Sequence, residues 1–351
     1  MDRAFYLDLA KRGLRMPIGT HLVLHEHADA AEIPRDGERL GDVVIETAER
    51  FETPLAFPLM DLTLEKRALL RALGVPDEEI DSHHFNAPPT CAPEFRMGRR
   101  MRAACDAITH VSARRDLLPM GMEIGPFSLT TKLVNDPITP VFLAGSGMGA
   151  DDEEEIATLE AVLAVATDFV LAYCDAQIDA GAKAIVICEP AANTVYFSPN
   201  QLRESYAVFD RYVMDPMRRI RARLDERGAD LVFHDCGELD AGMVERFATL
   251  DAAIMSLGGS RCLWEDAARV PDSTVLYGNL PSKNFVSSTL TVAEVERLSG
   301  ELLERMDACG HPFILGSECD SLHVPGSEGE TLAKIDAFMK LPSPSTPTLT
   351  P

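Results

Sequence analysis

Eight short apolar runs, each followed by a polar residue and then a helical stretch, set the limits on what this chain can fold into. They fall at residues 16–24, 53–60, 117–124, 184–188, 231–233, 252–257, 274–277 and 313–315. Strands that alternate with helices pair in parallel, because each crossover helix carries the chain back to the same end of the sheet. Eight such units in 351 residues predict an α/β fold, a (β/α)8 TIM barrel with an N-terminal helical extension over residues 2–13. An open dinucleotide-binding sheet lacks its fingerprint here, since no Gly-x-Gly-x-x-Gly opens a helix after the first strand. Residues 1–340 are expected to form a single domain, and the Pro- and Ser-rich residues 341–351 a disordered tail.

Charge and cysteine usage narrow the functional classes. A formal net charge of -23 argues against nucleic acid or an anionic membrane as a direct partner. The opening Met1-Asp2-Arg3-Ala4-Phe5-Tyr6 leads into a charged helix rather than a secretory apolar segment, and there is no apolar run near 18 residues. The expected compartment is the cytoplasm, with the eight cysteines as reduced thiols. The acidic run Asp151-Asp152-Glu153-Glu154-Glu155 reads as the first turn of a long helix over 153–181, where the helix dipole favours carboxylates.

Chemistry is carried in a barrel by polar residues at the C-terminal ends of the strands. In this chain those positions hold Asp61, Glu123, Glu189, His234, Cys236, Asn279 and Cys319. His234 and Cys236 stand two residues apart at a strand end, which puts both on one side about 6–7 Å apart along the chain. Closure of strand eight onto strand one lets Cys319 reach them across the mouth. One imidazole and two thiolates leave the fourth position of a tetrahedral zinc ion open, the layout of a catalytic site. Cys91, Cys105, Cys174, Cys188, Cys262 and Cys309 read as ordinary buried hydrophobes. Asp61 reads either as a helix cap or as a site residue. Read as strand residues, His21, His25 and His27 fall on one face and line a pocket mouth, unless they are simply solvated.

The segments Phe233-His234-Asp235-Cys236-Gly237, Ala184-Ile185-Val186-Ile187-Cys188-Glu189-Pro190-Ala191-Ala192, Gly278-Asn279-Leu280 and Phe313-Ile314-Leu315-Gly316-Ser317-Glu318-Cys319 together resemble the uroporphyrinogen decarboxylase superfamily. Within it they resemble the zinc methyltransferase branch typified by methylcobamide:coenzyme M methyltransferase, over roughly residues 10–340. That branch is marked by His-x-Cys and one much later Cys, matched by His234, Cys236 and Cys319. The decarboxylase pattern is mostly missing. The Arg-rich motif has no counterpart around Arg12 to Ile18, Lys132 stands at the Tyr position, and Leu315-Gly316-Ser317-Glu318 replaces Leu-Gly-His-Gly. Only Asp61 matches a decarboxylase position.

The resemblance implies thiolate activation. Zn2+ held by His234, Cys236 and Cys319 lowers the pKa of an acceptor thiol, which attacks a methyl group on a corrinoid (methylcobalamin type) carried by a partner corrinoid protein. Asp61 and Glu189 are the candidates for orienting the acceptor or taking its proton, and Asn279 for cofactor binding. The acceptor is a thiol such as coenzyme M, or a folate, which places the reaction in one-carbon metabolism. A uroporphyrinogen decarboxylase-like enzyme, a zinc hydrolase with Glu189 or Glu318 as base, and a non-catalytic corrinoid or porphyrin binder are the alternatives.

Overall fold

A computed structural model describes residues 3–91 and 93–341. Its strands are β1 (Arg15–Ile18), β2 (Leu55–Ala56), β3 (Leu118–Ile124), β4 (Ala184–Cys188), β5 (Asp230–Asp235), β6 (Ile254–Leu257), β7 (Val275–Leu280) and β8 (Phe313–Asp320). All pair in parallel in the order β1-β8-β7-β6-β5-β4-β3-β2, a curled α/β sheet of TIM-barrel type. Met16, Leu55, Met120, Val186, Val232, Ile254, Val275 and Ile314, one from each strand, belong to a single apolar cluster, so the interior is a packed core. Tyr6 and Leu9 of the helix Arg3–Lys11 join that cluster, and Tyr6 donates to Asp230 at the start of β5 over 2.9 Å. This helix therefore floors the barrel. No helical extension beyond it is present among the described residues, and the expected tail, apart from residue 341, lies outside them.

The first two strands are much shorter than the apolar runs that announce them. β1 stops at Ile18, and Thr20–Leu24 is a short helix rather than a continuing strand. A strand there would have no ladder partner, so its backbone bonds within itself instead: Val23 N–H to Gly19 at 3.1 Å and His25 N–H to His21 at 3.2 Å. β2 is confined to two residues between Pro54 and Pro58, neither of which can donate to a ladder. Among the described residues β1 and β2 share no ladder. Side chains close the seam between them: Thr20 Oγ1 donates to the Phe57 carbonyl at 2.7 Å, and Thr53 Oγ1 lies 3.3 Å from Met16 Sδ. β3 outruns β2 on the other flank, pairing with it only at Leu118 and Pro119. Beyond that point the Gln177 Oε1 accepts the Met122 amide at 2.8 Å and Glu65 Oε1 the Ile124 amide at 3.2 Å.

Later strands run longer than expected. β8 reaches Asp320 and β7 reaches Leu280, so Cys319 and Asn279 sit inside strands, held by the sheet rather than by loops. The helix expected over 202–223 is broken into Pro199–Glu204, Ala207–Phe209, a π turn Asp210–Met214 and Asp215–Arg227, the wider turn coinciding with Pro216, which has no amide to give. Glu154–Asp179 is long and apolar enough to cross a membrane by length and composition, yet 56% of its most apolar window is buried. Val162, Ala166, Phe169 and Val170 pack in the layer between sheet and helices, which is the work of a core helix. Glu154 and Glu155 occupy its first turn, as the dipole argument expects.

Candidate metal centre at the barrel mouth

Strands β5 and β8 deliver the three candidate ligands. His234 is the last but one residue of β5, Cys236 follows that strand directly, and Cys319 is the last but one residue of β8. One ligand atom from each lies within 4.8 Å of the other two. His234 is buried, and its Nδ1 is 2.9 Å from Ser256 Oγ, the residue opposite it in the β5–β6 register. Its Nε2 is buried with no hydrogen-bond partner. A buried ring nitrogen is seldom left so, and with Nδ1 engaged by Ser256, Nε2 is the atom free to bind an ion.

The two thiols are not equivalent. The Cys319 thiol, ahead of His234 and Lys283, pulls Cys236 well below the ordinary thiol range, and the same contact together with burial pushes Cys319 up. The contact thus favours ionisation of Cys236 over ionisation of Cys319. The turn after β7 braces both: Ser282 Oγ donates to the Cys319 carbonyl at 2.9 Å and accepts its amide at 3.2 Å, while Lys283 Nζ donates to the Cys236 carbonyl at 3.0 Å. Glu318 Oε2 accepts the Gly259 amide at 2.7 Å and lies 3.9 Å from Lys283 Nζ. Gly237 must be glycine for this packing, since a Cβ there would meet Asn193 Nδ2 at 2.6 Å and the Pro190 carbonyl at 2.8 Å. Burial pushes Asp320 up to about 7 and raises Asp235 well above its ordinary range.

The ligand cluster includes none of the other expected site residues. Glu189 is fully buried at the end of β4, where Oε1 accepts the Phe127 amide at 3.0 Å and Oε2 the Ser128 amide at 2.8 Å. Its carboxylate caps the helix Pro126–Leu133, and Gly125 leaves the room, for a Cβ there would lie 2.2 Å from Glu189 Cδ. Burial pushes this carboxyl up to about 7 against those two bonds. Asp61 accepts from the Thr63 amide and hydroxyl at 3.1 and 2.6 Å, and its Oδ2 is 2.6 Å from Arg100 Nη2. Asn279 donates to the Gly258 and Arg261 carbonyls at 2.7 and 2.9 Å. Glu123 faces outward, because Met122 beside it takes the interior position, and Gln177 Nε2 donates to it at 3.3 Å. His21 and His25 meet as tilted rings with centroids 4.4 Å apart, His25 stacks on His323 at 5.0 Å, and His27 pairs with Glu46 at 3.0 Å. One strand face does not hold them together.

Three residues around the centre carry no signal of their own in the sequence. Ser256 and Lys283 belong to no motif, yet both follow from barrel grammar: Ser256 is the polar interruption of an apolar strand, and Lys283 lies in the turn after β7. Ser282 emerges only from its hydrogen bonds to Cys319.

A parallel barrel with clustered ion-binding side chains at its C-terminal mouth defines a class of enzyme folds. More narrowly, the chain belongs to the uroporphyrinogen decarboxylase (URO-D) family, whose sequence model matches residues 20–339. It is 29% identical over 189 residues to a uroporphyrinogen decarboxylase of Dechloromonas aromatica, covering 52% of this chain but only 49% of that protein. Against the Thioalkalivibrio sulfidiphilus uroporphyrinogen decarboxylase it is 27% identical over 79% of this chain and 70% of that one. Among solved structures it is similar to a methyltransferase from Methanosarcina mazei, with TM-score 0.66 and 18% identity, covering 95% of this chain and 97% of that one. That likeness establishes the fold.

Proposed function

We propose that this protein is a zinc-dependent methyltransferase of the cytoplasm that moves a methyl group from a corrinoid, carried on a partner protein, to a small thiol. The observation that carries the reading is the orphaned Nε2 of buried His234 beside the thiols of Cys236 and Cys319. The donor set fits zinc. Tetrahedral bonds of about 2.3 Å to sulfur and about 2.0–2.1 Å to nitrogen place ligand atoms roughly 3.5–3.8 Å apart, within the observed 4.8 Å spread. Zinc, when bound, supplies a Lewis acid and a fourth position at which a thiol ionises near neutral pH.

The protein's own residues do the rest. Ser256 holds the imidazole with its proton on Nδ1 and its Nε2 lone pair free. Cys236 and Cys319, both ionised, offset the charge of a divalent ion, so an acceptor sulfur beside them keeps its electron density. Lys283, half exposed and donating to the Cys236 carbonyl, places a cation at the rim, suited to an anionic group on the acceptor. Glu189 and Asp61 act as positioning residues, one fixing the β3 and β4 ends beside β5, the other fixing the entry to the helix Leu64–Ala72. Decarboxylation of uroporphyrinogen, the activity in the relatives' names, is disfavoured by Lys132 and by Ser317-Glu318 at family positions for Tyr and His-Gly. The test is metal analysis of the purified protein followed by thiol-dependent demethylation of methylcobalamin, read as a visible spectral change. About one zinc per chain and a thiol-dependent rate are expected. Zinc-free protein that cannot be reconstituted, or coproporphyrinogen formed above a no-enzyme control, would overturn the proposal.

A further inference from the structure

Two thiols from different strands meet at the candidate metal centre. Cys236 follows β5 and Cys319 lies in β8, and their Sγ atoms fall within the 4.8 Å spread of the ligand cluster. Both residues are partly exposed, whereas Cys105, Cys174 and Cys188 are buried. A small solute can therefore reach this pair.

A disulfide holds its sulfurs about 2.05 Å apart, so from 4.8 Å or less the pair closes by under about 3 Å, shared between two side chains. The bonds from the turn after β7 do not oppose that movement. They reach the backbone of the two cysteines rather than their sulfurs, Ser282 at the Cys319 carbonyl and amide and Lys283 at the Cys236 carbonyl. A bound divalent ion does oppose it. Zinc between the two sulfurs holds them about 3.8 Å apart, and a sulfur committed to an S–S bond no longer offers the thiolate that a metal takes. Ion and disulfide exclude each other.

We infer that Cys236 and Cys319, when no ion is bound between them, are a reactive dithiol that small-molecule disulfides oxidise to a Cys236–Cys319 bridge, closing the centre to metal. One cysteine sulfur attacks the small disulfide, forming a mixed disulfide and expelling a first small thiolate. The other cysteine sulfur attacks the protein sulfur of that mixed disulfide and expels the second. The protein gives up two electrons and two protons, and the small disulfide takes them and leaves as two thiols. Exclusion of zinc rests on the reading proposed above, in which the acceptor is itself a small thiol, so the bridge ties the centre to the oxidation state of the acceptor pool. Formation of the bridge does not rest on it.

The test adds bis(2-hydroxyethyl) disulfide and a chelator together to the full chain, then alkylates free thiols and maps the peptides by mass spectrometry, with circular dichroism as the check on folding. A second sample is loaded with zinc, its metal content measured, and oxidised without chelator. The chelated chain should yield the Cys236 and Cys319 peptides joined, two hydrogens lighter than the reduced pair, and should lose zinc uptake until dithiothreitol restores it. The zinc-loaded chain should keep both cysteines reduced over the same time. Mixed disulfides alone in the folded chain, or a bridge from Cys236 to Cys188 instead, overturn the inference. So does a bridge that forms equally fast with zinc bound. A chain that bridges but takes up no zinc when reduced would sink the metal reading and leave the dithiol standing.

Discussion

Ser256→Ala should weaken zinc binding about 10- to 100-fold without removing a metal ligand. The hydroxyl sits 2.9 Å from His234 Nδ1 and opposite it across the β5–β6 ladder, so it fixes how the ring is turned and, by accepting from Nδ1, leaves the Nε2 lone pair free when an ion is bound. Without it the proton can move to Nε2, and the lone pair that an ion needs is lost in part of the population. Converted to free energy the expected loss is about 1.4–2.7 kcal/mol, on the scale of one to two neutral hydrogen bonds. Ser256 is buried and loses a single oxygen, so the fold should survive. The assay is competition for zinc against a chromophoric chelator near neutral pH, with circular dichroism as the check on folding. Ser256→Thr, which keeps a hydroxyl, should recover most of the affinity. A folded Ser256→Ala protein with wild-type zinc affinity would refute the reasoning, because His234 would then be oriented by something else.

Cys319→Ala should strip most of the zinc, since two protein ligands hold the ion poorly, and metal analysis after dialysis reads this directly. Glu189→Gln should keep zinc yet cost about 1–3 kcal/mol in urea unfolding, because an amide offers only one oxygen to the Phe127 and Ser128 amides; loss of zinc would make Glu189 a ligand instead. Glu65 gives a pH test. Burial pushes it from 4.5 up to about 8, so its contribution to stability is fully present below the unfolded value and is lost as pH rises through the folded one. Glu65→Gln, which keeps a carbonyl for the Ile124 amide, should gain on the wild type by about 1.4 kcal/mol per pH unit, about 5 kcal/mol in all by pH 8. Urea midpoints measured from about pH 5 to pH 8 would show that widening gap, and a constant difference would rule it out.

The barrel was legible because its later strands announce themselves by one signal, a buried apolar run closed by a polar residue. That His234, Cys236 and Cys319 come together was legible for the same reason, as His234 and Cys236 differ from a core composition at a strand end and Cys319 is brought opposite by closure. What failed was local. Residues 19–24 are as apolar as a strand, but whether they pair depends on β2, whose prolines cut it short. His21 and His25, spaced one helical turn apart, carried the helix signal and could equally be read at period two. Glu189 and Asp61 were legible as polar strand-end residues, but not the partners of their oxygens. Those partners, the amides of Phe127 and Ser128 and the Arg100 guanidinium, come from other elements, and their approach is a matter of packing.

Because β1 and β2 meet through side chains alone, the ladder of this barrel is a strip with two free ends rather than a closed belt. A strip can part along one line without breaking a single rung. Among the described residues the Thr20 bond to Phe57 and the Thr53 approach to Met16, with the apolar packing around them, hold the two strands together there. Local opening is cheapest where few bonds oppose it, and here that line borders Met16, Leu55 and Phe57, which with His234 and Ser256 enclose the apolar space inside the barrel. The line in the wall with few bonds across it thus borders the same apolar space as His234, the candidate metal ligand.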